Sequence, residues 1–276
     1  MNDKNKGDTT KTIHCFFSGG RDSALACYIA FQVAQRRRWA YKLVHIDTTI
    51  AIKQTREYVH QYAEWLGAEL VIIRPELTFK EYAVKIGMWP SLYPAKYRWC
   101  YRYLKLQPLI RYIHENYKED DLIVMGVRKT ESRFRDRFYT ATFFERDYDG
   151  VKTRVWAPLL FVDEPTLVRL LERFNIPRNP VWRYGFSGEC LCLAGMPEHE
   201  VYLILRNFPE EREMLLEIDD AINRSRKSGR PSAPFRISQK GYKTLREYYE
   251  QAVKLQITLD SFIFPYGKEC QGSCML

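Results

Sequence analysis

The sequence predicts an α/β protein: a parallel twisted sheet with helices on both faces, followed by a helical C-terminal unit. Three observations lead there. Short apolar runs alternate with amphipathic stretches up to residue 182, a pattern that demands parallel strands joined by crossover helices. The first apolar run breaks at a glycine pair, Gly19-Gly20, directly before a helix. Beyond Pro180 the strand-like runs stop and helical periodicity takes over. The expected boundaries are a polar, disordered lead-in over 1–11, an α/β domain over 12–182 and a helical unit over 183–276 that carries late cysteines.

The elements follow in order. Residues 12–17 are β-branched, aromatic or small and suit a buried strand. Leu25, Tyr28, Ile29 and Val33 then recur at helical spacing, with Asp22 or Ser23 expected to cap that helix. YKLVHI (41–46) reads as the second strand, with Asp47 at its C-terminal end. A helix over 54–67, stopped by Gly67, leads to a third strand, ELVIIR (69–74). FKEYAVKIG is helical, 88–98 is a loop with two prolines, 103–117 is helical and DLIVMG (121–126) is the fourth strand. VWAPLL (155–160) predicts a further strand and 165–175 a helix. Helical stretches over 197–207, 209–226 and 239–256 close the chain, separated by a hinge at 229–234. Ligands of such sheets collect at the C-terminal strand ends, where the loops after 17, 46 and 126 meet.

The loop after the first strand, Ser18-Gly19-Gly20-Arg21-Asp22-Ser23, is the strongest chemical signal. Glycines let the backbone approach a ligand, while first-turn N–H groups, the helix dipole and the Arg21 guanidinium favour phosphate. No Gly-x-x-x-x-Gly-Lys-Ser/Thr stretch and no Gly-x-Gly-x-x-Gly follows the strand, which excludes Walker-type and dinucleotide fingerprints. No Ser-His-Asp order or His-Glu-x-x-His motif supports a hydrolase. His14, His45 and His60 read as structural.

Composition sets the class. A hydrophobic content of 46% suffices for a packed core, and no apolar run approaches a membrane span. Seven cysteines without a secretory signal point to free or metal-bound thiols in the cytoplasm rather than a disulfide framework. A net charge of +9 calls for an acidic partner, a nucleic acid or a phosphorylated ligand. The segments 96–105, 128–137 and 224–230 concentrate cations, the first with four aromatics; each reads as a nucleic-acid contact or as a solvated face.

The loop resembles the Ser-Gly-Gly-Lys-Asp-Ser pyrophosphate loop of the adenine-nucleotide α-hydrolase superfamily, with Arg21 in place of lysine. In that superfamily the loop grips the β- and γ-phosphates of ATP, so cleavage falls between α and β. Further stretches extend the resemblance: RWCYRYLKLQPL (98–109), GVRKTESRFR (126–135), the Ile-Pro-Arg-Asn-Pro segment at 176–180 and GFSGECLC (185–192). In this order, over residues 12–192, they resemble the phosphoadenosine phosphosulfate (PAPS) reductase family. The intact loop is nearer the family's ATP-splitting, sulfur-transferring relatives than true PAPS reductases. That resemblance implies an enzyme that adenylates an oxygen with ATP and Mg2+ and lets a sulfur nucleophile displace AMP, acting on tRNA or DNA with a sulfur donor protein or thiol reductant. A reductase forming sulfite from PAPS or adenylyl sulfate is the alternative, and a non-catalytic nucleotide- or nucleic-acid-binding module the second.

The candidate residues follow. Asp22, Arg21 and Arg128 are expected to be catalytic. Ser18, Gly19, Gly20, Arg21, Asp22, Ser23, Gly126, Arg128, Glu131, Ser132 and Arg133 are expected to bind the nucleotide, whereas Asp47 either contacts it or caps the loop after the second strand. Cys15 and Cys27 read as core thiols. Cys190 and Cys192 put two sulfurs on one side of an extended segment, Cys100 opens a helix near basic side chains, and Cys270 and Cys274 lie one helical turn apart. Four thiolates suit an iron–sulfur cluster or zinc, and the resemblance implies a four-iron cluster. Cys270 has a competing reading as a nucleophile in a Glu-Cys tail.

Overall fold

The computed structural model describes residues 11–91, 98–131, 137, 139–186, 189–194, 196, 198–225, 236–238, 241–243 and 245–254. In chain order the strands are β1 (Thr12–Phe16), β2 (Ala40–Ile46), β3 (Glu69–Ile73), β4 (Leu122–Met125), β5 (Phe143–Tyr148), β6 (Val151–Trp156), β7 (Arg236–Ser238) and β8 (Gly241–Lys243). The α-helices are α1 (Arg21–Arg37), α2 (Lys53–Leu66), α3 (Phe79–Ile86), α4 (Gln107–Asn116), α5 (Glu164–Arg173), α6 (Glu198–Asn207), α7 (Pro209–Ser225) and α8 (Leu245–Lys254).

Six strands form one sheet in the order β3-β2-β1-β4-β6-β5, parallel except for the β5–β6 pair. The chain steps outward from β1 to β2 and β3, then returns to β4 on the other side of β1. The β1/β4 boundary is therefore the topological switch point, where doubly wound sheets open a crevice at the strand ends. Side chains alternate across β1. Cys15 faces Cys27 of α1, whereas His14 bonds Tyr112 of α4 at 2.8 Å, so helices cover both faces. His14 also meets Asp121 at 3.2 Å, and its burial lowers its pKa despite that carboxylate. It is a structural histidine.

Three expectations are corrected. The buried stripe of α1 runs through Ala26, Cys27, Ala30 and Ala34 rather than Tyr28, Ile29 and Val33. Small residues let the helix axis approach the sheet, and Tyr28 moves to the flank against Trp65 and Phe174, at 5.7 and 5.0 Å. The strand expected at 155–160 starts earlier, at Val151, and belongs to a hairpin with β5 around Asp149 and Gly150, whose φ angles are 54° and 92°. Two left-handed residues in succession give the turn twist that hairpins prefer. Finally, the helix expected from 239 begins at Leu245, and residues 236–243 contain the short antiparallel pair β7–β8 instead.

The chain divides into two compact units: Met1–Ile46, Tyr58–Ile73 and Leu109–Arg178 form one, which holds the large sheet; Asp47–Glu57, Arg74–Pro108 and Asn179–Leu276 form the other. In the second unit, α3 starts with a reciprocal cap: the Thr78 hydroxyl accepts from the Glu81 N–H, and the Glu81 carboxylate accepts from the Thr78 N–H. The indole N–H of buried Trp89 donates to Asp219 of α7 at 2.7 Å. No helix of the described residues is long and apolar enough to cross a membrane.

Candidate active site

The first unit carries the glycine loop. The Phe17 N–H donates to the Val44 carbonyl at 2.8 Å, and the Phe17 carbonyl accepts from His45 Nδ1 at 2.8 Å. The backbone then turns through Gly19, whose φ of 80° is open to glycine at little cost. Gly20 is the extended N-cap of α1, with no side chain capping it. Asp22 and Ser23, expected as caps, lie inside the first turn and point elsewhere. The Ser23 hydroxyl donates to the Gly20 carbonyl at 2.9 Å, accepts from the Ser18 N–H at 3.2 Å and lies 3.0 Å from the Ser18 hydroxyl. First-turn N–H groups have no carbonyl one turn back, so this end of α1 presents donors and a positive dipole end.

Four charged side chains close around the loop. Arg128 Nε donates to Asp22 Oδ1, and Arg128 Nη2 donates to Glu164 Oε2 at 2.7 Å. The other Glu164 oxygen accepts from Arg21 Nη1 at 2.6 Å. The order Asp22–Arg128–Glu164–Arg21 alternates in sign. Arg21, Asp22 and Arg128 are buried, but the Glu164 side chain is 41% exposed. Charge-assisted bonds of this length fix the two guanidinium planes. Asp22 and Arg128, 106 residues apart in sequence, are thus brought together, with Arg21 joined to them through Glu164. Glu164 was not among the expected residues. Its signal was an acid at the start of α5, just after the Asp163 N-cap whose carboxylate accepts from the Thr166 N–H at 2.9 Å.

Gly126 follows β4 and works through the absence of a side chain. A Cβ there would lie 2.5 Å from Ser23 N and 2.6 Å from Asp22 C and Ser23 Cα. The chain leaving β4 therefore packs directly against the backbone of the first turn of α1. Lys129–Glu131 forms a 3₁₀ turn, tied by the Lys129 N–H to the Leu160 carbonyl at 2.9 Å. Ser132 and Arg133 lie outside the described residues.

Asp47 belongs to the second unit. Its carboxylate accepts from the Thr49 N–H at 2.9 Å and from Arg74 Nε at 3.0 Å. Burial pushes its pKa up, and these two bonds together with the charges of Arg56 and Arg74 more than offset that, leaving it below the ordinary value. Thr49 sits at φ 63°, a strained region for a β-branched residue, and its hydroxyl accepts from the Phe79 N–H at 2.8 Å.

Three cysteines gather in the same unit. Cys100 precedes a π-helical stretch, Tyr101–Leu106, a rare geometry that is frequent at functional sites. Its sulfur lies 3.7 Å from that of Cys192. The hydrogen bond to Cys192, together with burial, raises the Cys190 thiol well above its ordinary value. The Leu191 N–H donates to the Ile50 carbonyl at 2.7 Å and fixes the segment between the two. Lys105, expected in a basic surface run, is buried and bonds Glu189 at 2.7 Å. Ligand sulfurs on a tetrahedral ion with bonds of ~2.3 Å sit about 3.8 Å apart, so Cys100 and Cys192 have a spacing that one soft metal accepts as readily as a thiol–thiol contact does. Their donor chemistry fits a soft metal or an iron–sulfur cluster. Yet no group of three or more His, Cys, Asp or Glu among the described residues is arranged to hold a metal ion. Cys270 and Cys274 lie outside the described residues. Asp22, the carboxylate expected beside the phosphates, has its Oδ1 on Arg128 Nε. Cys15 and Cys27 are fully buried.

Comparison with known proteins adds the following. A curated relative, the uncharacterized protein MJ0066 of Methanocaldococcus jannaschii, is 29% identical over 205 residues, 72% of this chain and 40% of its own. Sulfate adenylyltransferase subunit 2 of Saccharophagus degradans is 23% identical over 211 residues, 74% of this chain and 64% of its own. The chain spans less than half the length of MJ0066. Among solved structures, a PAPS reductase from Candida auris in a phosphate complex superposes with a TM-score of 0.47 at 18% identity, covering 63% of this chain and 77% of that one. The phosphoadenosine phosphosulfate reductase domain model matches residues 12–189, a run that opens at β1 and ends at the glutamate paired with Lys105. By that match, the chain belongs to the PAPS reductase domain family.

Proposed function

We propose that this chain splits ATP between its α- and β-phosphates and transfers sulfur to a nucleic acid. The observation that carries the reading is the loop Ser18–Ser23 at the β1/β4 switch point, with the guanidiniums of Arg21 and Arg128 fixed beside the N-terminus of α1. Ser18, Gly19, Gly20 and Ser23 bind the departing pyrophosphate through backbone N–H groups and hydroxyls. Arg21 and Arg128 neutralise its charge, and Asp22 orients Arg128. The acceptor oxygen attacks the α-phosphorus as the bond to the β-phosphate breaks. Sulfur then attacks the atom bearing that oxygen, and AMP leaves with it. An oxygen is a poor leaving group until phosphorylated, which is why ATP is spent first.

Cys100, Cys190 and Cys192, with Cys270 or Cys274, would hold an iron–sulfur cluster, or zinc in its place. A bound cluster supplies a soft, redox-active centre. A persulfide on a donor protein supplies the attacking sulfur, and a thiol reductant then cleaves the S–S bond left on the acceptor, carrying the donor away as a disulfide; tRNA or DNA is the acceptor, and the cytoplasm is the compartment.

The test is titration with ATP and product analysis on the full chain and on Asp22→Ala. AMP and pyrophosphate are expected from the wild type, with at least a tenfold loss in the variant. ADP without AMP refutes α–β cleavage. Family membership favours a second reading, a reductase of PAPS or adenylyl sulfate. Sulfite formed from PAPS with a thiol donor selects it.

A further inference from the structure

A row of side chains crosses the sheet at one level, Leu43–Cys15–Val124–Trp156–Phe143, each paired in register with the next. Pairing in register keeps them on one face, the face that α1 covers at Cys15. Burial falls off along the row. Leu43, Cys15 and Val124 are fully buried, Trp156 is half-buried and Phe143 is 60% exposed. The face thus emerges from under α1 as a groove of ≈ 570 Å³, lined also by Leu122, Val33 and Trp39.

The groove is aromatic and cationic together. The Phe143 and Trp156 rings lie parallel, 2° apart in plane with centroids 5.6 Å apart. Lys11 Nζ stands 4.4 Å and the Arg37 guanidinium 6.0 Å from the Trp39 ring centre. Arg154 also lines the groove, bonded at 3.0 Å to Asp120. Glu145 is the one acidic side chain among the described residues that line the groove, while Asp120 and Asp121 act on Lys11 from beside it. Flat rings with cations around them suit a ligand that offers π-faces and negative charge at intervals. A base-paired duplex hides its base faces, whereas a single strand presents them. A second copy of this chain fits poorly, because each copy brings a net charge of +9 to a cationic groove.

We propose that this groove is a docking site for a single-stranded segment of nucleic acid, with bases on Phe143, Trp156 and Trp39 and phosphates on Lys11, Arg37 and Arg154. The proposal rests on the reading that the sulfur acceptor is a nucleic acid. It gives that acceptor a hold within the unit that bears the glycine loop.

The test uses the full chain, a fluorescein-labelled ten-residue oligouridylate, fluorescence anisotropy at low salt and no ATP. Phe143→Ala and Arg37→Glu are each expected to weaken binding by about five- to tenfold, the loss that follows removal of a stacking platform or a phosphate contact. Arg36→Glu makes the same change in net charge one position away on exposed α1, outside the groove, and is expected to weaken binding less than twofold. All three variants alter exposed residues, and circular dichroism melts check that each is folded. Three results overturn the proposal: no oligouridylate binding by wild type, equal losses in Arg36→Glu and Arg37→Glu, or sedimentation showing a dimer that Phe143→Ala dissolves. ATP cleavage measured in parallel separates the two readings. Oligouridylate binding that depends on Phe143 in a chain forming no AMP sustains the groove and refutes the transferase. AMP formation without such binding does the reverse.

Discussion

Gly126 offers the sharpest test of the proposed anion cradle. Its φ lies outside the left-handed range, so replacement by alanine asks for space alone and not for a forbidden backbone. The new Cβ would stand 2.5 Å from Ser23 N. Real contacts of this kind rarely close below 3.4 Å, so about 0.9 Å must be made up. The obstructing atoms are backbone atoms of Asp22 and Ser23, which no side-chain rotation can clear. The first turn of α1 or the chain leaving β4 has to move. Overpacking of this kind costs about 1–3 kcal/mol of stability. The functional effect is larger, because a shift of about 1 Å in positioned donors costs on the order of a hundredfold. Gly126→Ala should therefore lose roughly 1–3 kcal/mol in urea unfolding and bind ATP and pyrophosphate about a hundredfold more weakly by calorimetry. A variant that is destabilised yet binds pyrophosphate like wild type refutes the reasoning, since the cradle would then not depend on that contact.

Three other outcomes follow from the geometry. Glu164→Gln keeps the size of the bridge between Arg21 and Arg128 but removes its charge. A unit charge several ångströms away is worth on the order of 1–2 kcal/mol at surface dielectric, so pyrophosphate should bind about tenfold tighter; weaker or unchanged affinity by calorimetry rejects Glu164 as a competitor for the anion. Burial alone pushes Glu200 up to about 7 from an ordinary 4.5, which makes its contribution to stability complete below pH 4.5 and lost as pH rises through 7. Urea unfolding from pH 4 to 8 should show wild type losing up to about 3 kcal/mol relative to Glu200→Gln, and parallel pH profiles would dismiss the effect. Anaerobically purified protein should be brown and carry iron and sulfide, with Cys192→Ser depleted in both; zinc in their place points to a structural ion, and metal-free wild type removes the metal reading.

The centre of the large sheet was legible because β1 and β4 are buried and read as continuous apolar runs, as LIVM at 122–125 does. The β5–β6 hairpin was harder. FFERDYDGVKTRVW mixes charges into both strands, as an edge pair with one open face allows, and only Asp149-Gly150 announces the turn. The buried face of α1 was misread because helical periodicity weighs large apolar residues, whereas close approach to a sheet selects alanines. At the site, the glycine loop is a local pattern and was readable. The bridge through Glu164 joins residues 143 apart in sequence, and no local rule reaches that far. Lys105 looked like a surface cation for the same reason: its partner, Glu189, lies 84 residues away.

The left-handed backbone at Thr49 has a consequence for how Asp47 can act. A β-branched residue held there stores about 1–3 kcal/mol, and the structure retains that energy through the bonds Thr49 makes to Asp47 and to the first residue of α3. Both Asp47 oxygens are already engaged, one by the Thr49 N–H that restrains the dihedral and the other by Arg74 Nε. A ligand that drew on the Thr49-bonded oxygen would release that restraint, so binding at Asp47 is expected to be linked to the strain held at Thr49. Any such change would reach α3 first, because the Thr49 hydroxyl holds the N–H of its first residue, Phe79.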